Sequence, residues 1–215
     1  VADDEALAAV FAHGVRRVAV HAEDEARLIE RKPIATAAAD PRAHPEWRDA
    51  ETALRATWRA VALARRFGRR VHLLHVTSAD ECELLASAKD IATFEIPPQH
   101  LTLAAPDCYQ ALGTRAQMNP PIRDAHHQAA LWASIASGAC DMLATDHAPH
   151  TLEEKARTYP ASPSGMPGVQ TFLPIMLDHV AAGRLSLARL IDLMSAGPAR
   201  VWGLAAKGRL AVGFD

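Results

Sequence analysis

Several features that would classify this protein at a glance are scarce. Of its 215 residues only three are Cys and two are Tyr, and aromatic side chains make up 5%. Cys82, Cys108 and Cys140 are odd in number and lack C-x-x-C spacing, which excludes a disulfide framework and points to a reducing compartment. Charge of one sign is also missing. Lys+Arg number 23 against 25 Asp+Glu, a net charge of −2, so no basic surplus exists to hold a phosphate backbone and nucleic acid is not an expected partner. No apolar run approaches the roughly 18 residues of a membrane span, and no signal-peptide pattern opens the chain. A cytoplasmic protein without a membrane partner is the expectation. The glycines form no G-x-G-x-x-G or P-loop pattern, which leaves nucleotide binding without support.

What remains is ordinary globular composition, 49% apolar and 22% charged, with 11 histidines. Four apolar, β-branched runs read as buried strands: Val15 to His21, Val71 to Val76, Ala92 to Ile96 and Asp141 to Thr145. Helical patterns lie between them, at residues 45–67, 80–89 and 124–137, with Gly68 and Gly138 at C-terminal cap positions. Strand and helix in alternation specify a parallel α/β sheet. Two further helices are expected at residues 169–182, with Pro174 kinking the first, and from a Ser186 cap through Met194. One domain is expected over residues 1–204. Residues 205–215 read as the start of a β segment.

Both ends read as cut: a helix at residues 3–13 runs straight into the first strand, and the final segment has nothing to pair with. An eight-stranded barrel needs about 250 residues, more than this chain has.

Polar residues end three of the strands. His21 closes the first, His75 the second and Asp146 the fourth. The carboxyl ends of parallel strands form the active-site face of such sheets. Singly, each is as easily a hydrogen-bonded rim group. In succession they make a ligand set for zinc or a similar borderline metal. Ala144 to His150 (ATDHAPH) adds a substrate-facing donor to a metal ligand or base. In Met118 to Arg123 (MNPPIR), two prolines hold the chain extended and aim Asn119. His72 is expected to be structural, His126 and His127 solvated, and His13, His44 and His179 surface groups.

These segments resemble the successive motifs of the dihydroorotases: HAED at residues 21–24, HLLHVTS at 72–78 and EIPPQHL at 95–101. MNPPIR, ATDHAPHTLEEK at 144–155, SPSGMPGVQT at 162–171 and GPARVWGL at 197–204 continue the series in the same order. The resemblance covers almost the whole chain. It implies an amidohydrolase (β/α)8 TIM barrel, of which this chain supplies about strands 5 to 8, around a centre of one or two zinc ions. It further implies that His21 and His75 are metal ligands and that Asp146 is both ligand and proton shuttle. Asn119, His150, Ser164 and Gly165 would contact the substrate.

The implied reaction is the reversible hydrolysis of dihydroorotate to N-carbamoyl-aspartate in pyrimidine biosynthesis. The family's His-x-His pair, its substrate-binding Arg and its bridging Lys or Asp have no counterpart here, and the resemblance places them before Val1. Activity is therefore expected of the complete chain. Two alternatives stay open: a non-catalytic scaffold for aspartate carbamoyltransferase, and another cyclic amidase such as a hydantoinase or allantoinase. A homo-oligomer is compatible with each.

Overall fold

The structure, a computed structural model, describes residues 3–215. Four short strands form one parallel sheet: β1 (Val18–Val20), β2 (Val71–Leu73), β3 (Ala92–Ile96) and β4 (Met142–Leu143). Their spatial order is their order in the chain, and each pairs in parallel with the next. A doubly wound sheet would reverse direction at a switch point. This one does not, which is how consecutive strands lie in a TIM barrel.

The helices on the outer face are α1 (Asp4–Ala12), α2 (Glu25–Ala38), α3 (Ala50–Phe67), α4 (Ala79–Ala86), α5 (Ala125–Ser137), α6 (Phe172–Ala181), α7 (Leu187–Ile191) and α8 (Gly197–Trp202). Val71, Leu73, Phe94, Ile96 and Leu143 point into them and form the centre of one continuous apolar core. Burying a side chain such as Phe94 contributes about 1.5–3 kcal/mol. The registered set Ala19, His72 and Thr93 shares the opposite, inner face. That face is polar and satisfied. His72 Nδ1 lies 2.8 Å from Thr93 Oγ1 and its Nε2 3.0 Å from Glu95 Oε2. Arg17 donates to the Val71 and Val201 carbonyls and to Thr93 Oγ1.

Local chemistry sets the boundaries. The single helix expected over residues 45–67 is broken: one turn at His44–Trp47 ends at Arg48, and α3 starts afresh at Ala50. Asp49 causes the break, because its carboxylate caps α3 by accepting from the Thr52 amide and hydroxyl. Pro174 falls in the first turn of α6, where backbone amides have no helical partner, so it causes no kink of the kind expected. Helix α2 has weak patterning, with only Leu28 and Ala35 buried and Pro33 inside it.

The expected 186–194 helix ends at Ile191 and gives way to a π-helical turn, Asp192–Ala196. The following helix begins at Gly197, where a Cβ would stand 2.3 Å from the Asp141 carbonyl, so only glycine permits this approach. Residues 205–215 form turns and contain no strand; Leu210 and Val212 are fully exposed, with no neighbouring strand among the described residues.

Candidate active site

β2 and β4 are short because the chain leaves the ladder early at their carboxyl ends. At those departures His75 and Asp146 adopt left-handed backbone, with φ of 37° and 44°. For non-glycine residues this costs roughly 1–2 kcal/mol each. Such strain at the ends of β2 and β4 marks positions selected for where the side chain points.

His21 and His75 meet there. His21 Nδ1 is 2.8 Å from His75 Nε2, and the rings stand edge to face at 4.6 Å. The other nitrogen of His21, Nε2, lies 3.1 Å from Glu23 Oε2, and Glu23 is itself paired with Arg48. That carboxylate fixes the ring so that Nδ1 faces His75. Bonds from His21 and Arg48 overcome burial and hold the Glu23 carboxyl down at about 2. Burial, reinforced by His21, lowers His75 to about 3, so its ring is neutral at pH 7, as a ligand must be. The buried His75 Nδ1 has no partner among the described residues. Asp146 is half-buried; desolvation raises its pKa, opposed by nearby His21 and assisted by Glu95.

A zinc-class metal fits this donor set. Two imidazoles converge, one is braced by a carboxylate, and strained backbone aims the second and Asp146. Among the described residues no three His, Cys, Asp or Glu side chains close on a single point, so the two histidines form a partial set with Asp146 beside it.

A second cluster adjoins the first through the ATDHAPH loop. Each part of MNPPIR is held by a buried group, as it must be, because its prolines cannot join a ladder. His44 Nε2 serves Met118 O and Asn119 Oδ1, His100 Nε2 serves the carbonyls of Pro120 and Pro121, and the Tyr109 hydroxyl donates to Ile122 O. Arg123 donates to Thr77 Oγ1 and to the Arg48 carbonyl. Asn119 alone of residues 116–123 is not fully buried.

Residues 162–168 pack against this segment. The Gly165 amide donates to Gln117 O, and Gln117 Nε2 to Ser164 Oγ. Gly165 has φ of 143°, and a Cβ there would stand 2.5 Å from the Ala148 carbonyl. Lys155 Nζ donates to the carbonyls of Gln117, Pro163 and Gly165, clamping the loop from beneath, and burial lowers its pKa to about 8. His147 Nδ1 accepts from the amides of Gly168 and Val169, while His150 Nε2 lies 3.1 Å from Ser164 O.

The structure thus gathers the predicted residues into two adjoining groups, His21 and His75 near Asp146, and Asn119, His150, Ser164 and Gly165. Two expectations are corrected. His44 and His179 are buried, not surface groups. His127 is partly buried, with Nδ1 accepting from the Ala79 amide. His44, His100 and Lys155 carry no spacing signal, since their partners are distant main-chain atoms. A buried polar group was legible only in the need of a proline-rich loop for outside donors.

No family model matches the chain. Among curated proteins, the dihydroorotase of Halobacterium salinarum is 40% identical over 198 residues, 92% of this chain and 46% of its own length. That of Methanosarcina mazei is 34% identical over 223 residues, covering 99% of this chain and 48% of its own length. The chain spans about half the length of the curated relatives it matches. Among solved structures, the L-hydantoinase (dihydropyrimidinase) from Arthrobacter aurescens superposes with a TM-score of 0.93 at 31% identity. It covers 99% of this chain and 50% of the hydantoinase. The sheet order, the strained strand ends and these likenesses agree, and the chain is a dihydroorotase-like member of the amidohydrolase family.

Proposed function

We propose that the protein carrying this chain is a zinc-dependent dihydroorotase, opening the cyclic amide of dihydroorotate to N-carbamoyl-aspartate and closing it again. The observation that carries the reading is the meeting of His21 Nδ1 and His75 Nε2 beside a partly desolvated Asp146. The substrate is assigned from the relatives named dihydroorotase, at 34–40% identity.

His21 and His75 would hold the metal, with Asp146 as a third ligand. When bound, such an ion acidifies water and polarises an amide carbonyl. The chain's own residues do the rest. The Asp146 carboxylate accepts the proton lost by the attacking water as the new C–O bond forms. It returns that proton to the ring nitrogen as the C–N bond breaks. Partial desolvation suits the first half of the task, since a raised pKa makes the carboxylate a stronger base. Asn119, His150 and the Ser164–Gly165 main chain orient an anionic substrate.

A hydantoinase is the second reading, favoured by the superposition on the L-hydantoinase. Turnover of dihydroorotate, hydantoin and allantoin by the zinc-loaded protein separates them. Dihydroorotate should be the preferred substrate. Preference for hydantoin assigns the second reading, and zinc binding without turnover of any of the three assigns a scaffold.

A further inference from the structure

His44 is fully excluded from solvent, and the chemistry above gives it no task. Its Nε2 lies 3.0 Å from the Met118 carbonyl and 3.1 Å from Asn119 Oδ1, and its Nδ1 is 3.2 Å from the Tyr159 hydroxyl. A backbone carbonyl only accepts, so Nε2 must carry the ring proton, shared between two oxygens. The same proton decides Asn119. An amide atom facing an N–H must be the oxygen, which turns the Asn119 NH2 group the other way.

Nδ1 keeps its lone pair, and Tyr159 donates to it. Burial raises the Tyr159 hydroxyl, which therefore keeps its proton, and lowers His44 to about 4, so the ring stays neutral. Trp47 and Tyr159 stand edge-on to the ring at 5.8 and 5.7 Å and hold its plane.

We propose that His44 is a positioning residue that fixes the Asn119 amide with its NH2 donors toward the substrate, selecting an oxygen-bearing anionic ligand over one that presents an N–H there. An unrestrained amide is nearly symmetric in shape and would present either end. The substrate-selecting half of this inference rests on the proposed contact between Asn119 and substrate; the tautomer does not.

Two measurements test it. In the unmodified protein labelled with 15N-histidine, long-range proton–nitrogen spectra should show His44 protonated at Nε2 and bare at Nδ1 between about pH 5 and 8. An Nδ1-protonated ring or an imidazolium at pH 7 overturns the proposal, whether or not dihydroorotate is turned over. The second measurement is a double-mutant cycle in KM for dihydroorotate. His44→Leu should raise KM about tenfold, with kcat moving less, the worth of an oriented hydrogen bond.

Adding Asn119→Ala to His44→Leu should raise KM little above the effect of Asn119→Ala alone. His44→Gln, which keeps a donor nitrogen, should recover most of the loss. Additive effects on KM, or a fall in kcat alone, would mean that His44 only supports the fold. Wild-type protein that leaves dihydroorotate intact overturns the proposed function and the substrate-selecting half, and the spectra still decide the tautomer.

Discussion

His72 and His75 stand three residues apart at the same end of the molecule, and their surroundings differ in every respect that matters. His72 sits within β2 on the inner face, in regular extended backbone, with a hydroxyl on one ring nitrogen and a carboxylate on the other. His75 has left the strand with φ of 37°, one nitrogen facing a second imidazole and the other without a partner among the described residues. A buried polar side chain that has all its bonds contributes to the fold. One that is strained and incompletely bonded is kept for something the fold does not supply.

Asp146 lies on the same side of that divide as His75. Asp146→Asn should lower kcat for dihydroorotate about 10³-fold or more, with an unchanged unfolding midpoint. Near-wild-type turnover in that variant would remove the proton-shuttle role. The two histidines should then separate cleanly. His75→Ala should cut zinc affinity about 100-fold or more with a modest effect on stability. His72→Ala should keep zinc and lose about 2–3 kcal/mol, because the buried Glu95 carboxylate loses its ring nitrogen partner. Zinc titration and urea unfolding of both variants check this, and reversed outcomes would exchange their roles.

A smaller effect is expected at the loop. His150→Ala should raise KM about tenfold and leave zinc content unchanged; a large zinc loss would make His150 a ligand. A further effect is in stability against pH. His44 and His100 are held neutral by burial, each lowered to about 4. The unfolded chain takes up protons from about pH 6.5 downward while the fold refuses them, so stability falls as the pH drops from there to 4. The slope is about 1.4 kcal/mol per pH unit for each histidine. Unfolding midpoints of metal-free protein between these pH values should show it, and His44→Gln should flatten it by one histidine's share. Equal slopes in both proteins would mean that His44 is protonated in the fold.

The alternating α/β order was legible from apolar runs and cap residues, and β3 matches its expected bounds residue for residue. The other strands are shorter than their apolar runs: β2 and β4 stop where the chain turns away to aim His75 and Asp146, and β1 begins only at Val18. The His44–Trp47 turn was hidden inside a longer periodic stretch, since the Asp49 cap that breaks it differs little from any acidic residue on a helix. Residues 205–215 carry the apolar content of a strand but form turns, because a strand needs a neighbour that sequence alone does not provide.

The sequence by itself determined the parallel sheet, the residues at its carboxyl ends and the two loops that carry Asn119 and His150, because periodicity, proline and cap chemistry are local. Only the tertiary structure decided which nitrogen of His21 faces His75, which way the Asn119 amide turns and what holds the proline-rich loop. Those outcomes depend on hydrogen bonds between atoms distant in the chain, such as His44 and Met118, Lys155 and Gln117, and His100 and Pro120.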